Sequence, residues 1–222
     1  MEYLNLGERV LEGLSGSFTV KKLDIGRCAS LSKKGMTFFT DTYDIENAGH
    51  LCIMKMKAML GLMKMETVVL SITGKDLPLF NMDWVGAFGK ETLIVEIYDD
   101  QLTPYPEDLL NKFSEIGAKD SDLTEYTTDT AHWYDSILYP CSYHKTGKKL
   151  SYRFSNTAEE YSNAFIEQLA SAPACDISEK KAKVSSFAET LYAKGGPAVD
   201  QVKKLFGDEI AGELIIEHMY GC

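Results

Sequence analysis

The chain has 222 residues, 45% hydrophobic and 25% charged, which suits one α/β domain with a full core. Its net charge of −10 argues against nucleic acid and anionic membranes as partners. No window approaches 18 uncharged apolar residues, so no transmembrane helix is expected, and the first twelve residues lack the basic region and apolar core of a signal peptide. Five scattered cysteines (Cys28, Cys52, Cys141, Cys175 and Cys222) form neither a zinc spacing nor a disulfide framework. They predict free thiols and a cytoplasmic location.

In chain order, Leu4, Val10, Leu11 and Leu14 recur at helical spacing and predict a helix over 2–14. Residues 18–23 and 36–43 alternate as strands. Residues 51–58 and 62–72 predict a hairpin around Leu60-Gly61, with Met54, Met56, Met63 and Met65 alternating along it. Such methionines fill cores, and they also make adaptable walls for a flat ligand. Residues 82–88 and 92–98 predict a second hairpin turning at Gly89-Lys90. A helix over 104–116 follows, with Thr103 as N-cap and Pro104 at its first position. Residues 118–135 are polar and predict a loop. Helices are predicted over 156–170, 178–193 and 197–220, the last two separated by Gly195-Gly196. The whole is a single domain, 1–222, of α/β class. Its expected form is a three-layer α/β/α sandwich around a mainly antiparallel sheet of about six strands.

The most informative stretch is K-D-L-P-L-F-N-M-D-W-V-G-A-F-G-K-E-T-L-I-V-E-I-Y-D, from Lys75 to Asp99. It sets one carboxylate, Asp83, inside an apolar strand. Val85 and Ala87 share its face, while Met82, Trp84, Gly86 and Phe88 take the other. Burial disfavours the ionised carboxylate and raises its pKa toward neutrality, giving an acid that still holds its proton at physiological pH. The alternative role for Asp83 is to cap the turn after Phe80-Asn81 through a backbone amide.

This stretch resembles the central sheet of the ferredoxin-dependent bilin reductases and the related red chlorophyll catabolite reductases. A second segment, V-K-K-L-F-G-D-E-I-A-G-E-L-I-I-E-H-M-Y-G from Val202 to Gly221, is similar to the end of that family: a helix closing on Phe206-Gly207, then Asp208-Glu209, then a last amphipathic helix reaching Tyr220. The resemblance covers 49–221 and extends over the first 48 residues only in outline. It implies the α/β/α sandwich and a linear tetrapyrrole bound between sheet and C-terminal helices. It also implies electrons delivered singly by an external ferredoxin or flavodoxin, with no protein-bound metal or flavin. Asp83 stands where the family has an aspartate that transfers protons beneath the bilin. Glu66, 17 positions earlier, stands where some members carry a histidine. Two carboxylates facing one pocket would split into an acid and a base; the other reading of Glu66 is an ion pair with Lys64 or Lys55. The family's pattern departs at Gly195-Gly196-Pro197, where the reductases carry an Asn-Asp-type pair whose acid is a second proton donor in several members.

The segment H-W-Y-D-S-I-L-Y-P-C-S-Y-H, from His132 to His144, is rich in aromatic residues that could stack on a conjugated ligand. By resemblance its Trp133 and Ser142 line the substrate side, with His132 beside them; the alternative is a packed loop with satisfied histidines. Met65 and Val85 complete the expected binding set. Ferredoxin docking asks for a basic face, which Lys55, Lys57 and Lys64, or Lys145, Lys148 and Lys149, could supply if they are not simply solvated. No G-x-G-x-x-G, G-x-x-x-x-G-K-[ST], H-E-x-x-H or G-x-S-x-G occurs, so nucleotide-binding and zinc or serine hydrolase readings find no support. The expected function is reduction of a linear tetrapyrrole with protons from Asp83 and Glu66. A non-catalytic tetrapyrrole carrier and a structural protein of the same fold are the rivals.

Overall fold

The computed structural model describes residues 2–105, 107–128 and 130–222. The strands are β1 (Val20–Lys22), β2 (Ser30–Lys33), β3 (Met36–Ile45), β4 (Gly49–Ala58), β5 (Met63–Ile72), β6 (Leu79–Ala87), β7 (Lys90–Tyr98), β8 (Thr124–Glu125) and β9 (Tyr143–Lys148). They form one nine-stranded sheet in the order β1-β3-β4-β5-β6-β7-β9-β8, with β2 also paired to β3. Every ladder is antiparallel. The sheet is thus larger than the six strands expected. β2 and β8 are too short to show a period of two, and β9, reading Y-H-K-T-G-K, carries the composition of a turn.

Helices cover both faces. On one side lie α1 (Leu6–Ser15), α2 (Glu107–Ala118) and α3 (Ser151–Ser171). Their Leu6, Val10, Phe113, Phe154 and Phe165 pack with Leu51, Val68, Phe80, Met82, Trp84 and Val95 of the sheet. On the other side lie α4 (Ile177–Lys194), α5 (Pro197–Phe206), α6 (Asp208–Gly212) and a π-helical turn, Glu213–Met219. There Val184, Phe187, Val202, Leu214 and Ile215 pack with Cys52, Met54, Val69 and Leu79. Each fully buried Phe or Leu contributes about 1.5–3 kcal/mol, so both layers are needed to hold the sheet.

The helix expected over 2–14 spans Leu6–Ser15 and the one expected over 156–170 spans Ser151–Ser171; the second and the last expected helices differ as well. The second begins at Glu107, because Thr103 is bound elsewhere: its backbone N–H (2.9 Å) and hydroxyl (2.7 Å) donate to the Asp76 carboxylate. The helix expected over 197–220 breaks at Gly207, whose φ of 86° is left-handed and closes α5. α4 is fixed to the sheet by a buried ion pair. Lys180 Nζ donates to Asp100 Oδ2 at 2.7 Å and to the Asp100 carbonyl at 2.8 Å, and Asp100 Oδ1 accepts from Leu79 N–H at 2.6 Å. All five cysteines are free thiols, and among the described residues no helix is long and apolar enough to cross a membrane.

The β6–β7 turn is Phe88-Gly89, one residue earlier than expected, closed by the pair Ala87–Lys90. Both turn residues have positive φ, 50° and 78°, as a type I′ turn requires. Asparagine suits that first position far better than phenylalanine. Phe88→Asn is therefore expected to stabilise the protein by about 1 kcal/mol, read as a raised urea midpoint with an unchanged slope.

Candidate functional site

Register fixes which side chains share the face toward α4, α5 and the π-helical turn. One row runs Met54–Thr67–Asp83–Ile94–His144 across β4, β5, β6, β7 and β9. Beside it run Met56–Met65–Val85 and the pair Asn81–Glu96. These rows floor a cavity of about 940 Å³, at the upper end of the range for ligand pockets. Its other walls are Leu191 of α4, Pro197 and Val202 of α5, Ile215 and Met219 of the π-helical turn, and Tyr126, His132, Tyr134 and Leu138 from the segment before β9. The lining is mostly apolar. His132 stacks on Tyr134 with ring centroids 4.9 Å apart and planes 1° from parallel, so that wall is flat.

The polar groups converge at the floor. Burial pushes the Asp83 carboxyl up from 3.8 to about 7; the charge of Glu96 on the adjacent strand adds to this, and a hydrogen bond donated by the Thr67 hydroxyl opposes it. Glu96 Oε2 accepts from the Tyr98 hydroxyl at 2.5 Å, and Glu96 Oε1 lies 3.4 Å from His144 Nε2. Burial, reinforced by the neighbouring carboxylates, holds the Tyr98 and Tyr220 phenols well above their ordinary value, so both remain neutral. One buried atom in the lining, Asn81 Oδ1, has no hydrogen-bond partner among the described residues, and His144 Nε2 has only the carboxylate oxygen of Glu96 beside it. Buried polar atoms are nearly always satisfied, so Asn81 is a group that a polar ligand atom could engage.

Of the residues expected from sequence, Asp83, Met65, Val85 and His132 meet around this cavity. Glu66 does not. It pairs with Trp84 rather than Asp83 in the β5–β6 ladder and so points to the opposite face, where it is 1% exposed. There its carboxylate accepts the backbone N–H groups of Asn5 (2.9 Å) and Leu6 (2.7 Å), capping α1. Trp133 turns toward α4: its ring packs on Phe187 and its Nε1 donates to the Gly195 carbonyl at 3.3 Å. Ser142 Oγ accepts from Ile97 N–H at 3.1 Å, holding the start of β9. Glu96 was missed, although counting back through either turn position puts it on the same face as Asp83. Elsewhere, Cys28, Glu213 and His218 bring one donor atom each within 4.8 Å of the others, with Glu213 already held by Arg27.

Gly196 lies in the cavity wall. Its backbone is extended, φ 177°, and a β-carbon there would meet Leu191 Cδ1 at 3.5 Å and Tyr134 Cε1 at 3.6 Å, ordinary contact distances. The space for a side chain exists, but the chain supplies none.

No family model and no curated protein matches this sequence. The structure is similar to the crystal structure of phytochromobilin synthase from tomato in complex with biliverdin, with a TM-score of 0.77 and 11% sequence identity. The match covers 99% of this chain and 83% of that one. The chain therefore has the α/β/α fold of that synthase over nearly its whole length.

Two outcomes test the site. In wild-type protein Asp83 contributes nothing to the pH dependence of stability below its ordinary 3.8, where folded and unfolded chains both hold the proton. From there to about 7 the unfolded chain ionises and the folded chain does not, so stability falls as pH rises. Asp83→Asn removes this loss: its melting temperature should match wild type near pH 4, exceed it increasingly up to neutrality, and hold a constant gain above. Glu66→Ala should instead cost about 3 kcal/mol in urea denaturation, because two N–H groups at the start of α1 lose their acceptor.

Proposed function

We propose that this protein binds a linear tetrapyrrole in the cavity above Asp83 and reduces it. Single electrons would come from an external ferredoxin or flavodoxin. The observation that carries this reading is a neutral-range acid at the centre of an apolar, flat-walled cavity of a size suited to an extended ligand. The fold shared with a synthase solved in complex with biliverdin supports it. Saturating one double bond consumes two electrons from the donor and two protons. Asp83, protonated near pH 7, gives one proton to the ligand as the electron arrives, and its carboxylate is then reprotonated from solvent through the cleft. Reprotonated in this way, Asp83 gives the second proton as well, while Glu96 accepts from the Tyr98 hydroxyl and lies close to His144, ordering the polar groups of the cavity floor in place of the role first expected of Glu66. Met65, Val85, His132 and Tyr134 hold the conjugated plane.

A second reading is a tetrapyrrole carrier without catalysis. Gly196 favours it, because the cavity wall has no acid at the position where the resembling reductases carry one.

Biliverdin titration distinguishes these readings. Binding should shift and sharpen the red absorbance band as the pigment leaves water. With reduced ferredoxin under anaerobic conditions, the enzyme consumes that band. Asp83→Asn should keep binding while slowing consumption roughly 10²-fold or more, the scale of a lost acid–base group. A bound spectrum with no consumption in wild type assigns the carrier role. No spectral change at all, in folded protein, removes both.

A further inference from the structure

One end of the sheet departs from the acidic character of the chain. Four connections meet there: Lys34-Gly35 between β2 and β3, Met59 to Leu62 between β4 and β5, Phe88-Gly89 between β6 and β7, and the step from β9 into α3. The ladder pairs Thr37–Lys57, Met63–Ala87, Ala87–Lys90 and Lys90–Lys148 hold them side by side. Residues 32–37, 57–64, 86–90 and 147–152 contain seven lysines (33, 34, 57, 64, 90, 148 and 149) and no carboxylate. Among the described residues none of the seven is ion-paired, so no carboxylate offsets their charge there. Glu91, adjoining them, is buried and bonded to Leu150 N–H and Ser151 Oγ. At the neighbouring sheet edge, Asp122 and Glu125 are held by Arg153 and Lys145.

The same end exposes its apolar side chains. Leu60 is fully exposed, and Phe88, Leu62 and Met59 are 69%, 60% and 52% exposed. Met59, Leu60 and Phe88 also have positive φ, at 52°, 56° and 50°. A β-carbon is disfavoured in that region, and glycine or asparagine would serve the turns better. Neither burial nor backbone preference accounts for large hydrophobic side chains at these three positions. They project from two neighbouring turns, Met59 and Leu60 between β4 and β5 and Phe88 between β6 and β7.

We propose that this end of the molecule docks on an anionic lipid surface. Leu60, Leu62, Phe88 and Met59 enter the boundary between headgroups and acyl chains, and the ring of lysines lies against the negative headgroups. The net charge of −10 argues from composition against an anionic membrane, but salt screens charges more than about 10 Å apart, so at this end the bilayer meets the local lysines and not the sum over the chain. Met36 and Met63, at the same end, also line the cavity, so the cavity adjoins the docking face. The proposal stands independently of what the cavity binds.

Sedimentation of the full chain with phosphatidylcholine vesicles, with and without a third of phosphatidylserine, tests it. Binding is expected to the phosphatidylserine vesicles and to weaken as salt rises. It should fall at least tenfold in Leu60→Asp with Phe88→Asn, residue types that accept positive φ and so preserve folding, as the circular dichroism melt will verify. Lys57→Gln, Lys64→Gln and Lys90→Gln should each weaken it roughly fivefold. Binding to phosphatidylserine vesicles no stronger than to phosphatidylcholine alone overturns the proposal, as does binding that the tip variants leave unchanged. Lysine-dependent capture by an acidic protein, without vesicle binding, overturns it in favour of a protein partner.

Discussion

A sheet covered by helices on both faces has no solvent side. Every residue of its central strands is committed to one buried layer or the other, and alternation along each strand decides which. A carboxylate in such a strand must therefore be desolvated, bonded or both. Glu66 and Asp83, on adjacent strands and one register step apart, show the two outcomes. On one face, two backbone N–H groups meet Glu66 and convert it into part of the frame. On the other, Asp83 faces a cavity with one hydroxyl donor, and the cost of charge there falls on its ionisation instead.

That asymmetry shapes the rest of the cavity floor. Glu96 joins Asp83 on the same face, and its charge adds to the cost of ionising Asp83 there. The surrounding phenols stay neutral and can donate but not neutralise. Asn81 Oδ1 keeps no partner among the described residues. An interior that closed fully over these groups would leave them desolvated, whereas a cavity leaves them open to a polar partner. Lys180 and Asp100 anchor the first half of α4 just past the end of β7, and the same helix carries Leu191 into the cavity wall.

Much of the layer architecture was legible in sequence. Met82, Trp84 and Asp83 separate by strict alternation, and the two hairpins declare antiparallel neighbours. What could not be read was the register between β5 and β6, because the connection from Ile72 to Leu79 is too long for a turn type to fix it. Glu66 was assigned by its distance along the chain, and an odd number of residues across an unknown connection carries no information about face. Glu96, by contrast, follows a two-residue turn, and its face was available from counting. Trp133 and Ser142 belong to a segment without periodicity. There, only the finished packing against Phe187 and Ile97 decides where a side chain points. The short strands β2 and β8 take their conformation from β3 and β9, which propensity alone cannot anticipate.

Gly196 gives a different kind of lesson. Its backbone is one that any amino acid adopts, and a β-carbon there would meet only ordinary contacts. Nothing in the architecture therefore forbids an acid in that wall. What stands at this point of the wall is thus set by the choice of residue and not by the path of the main chain, and the chemistry of the wall can change while the backbone that carries it stays the same.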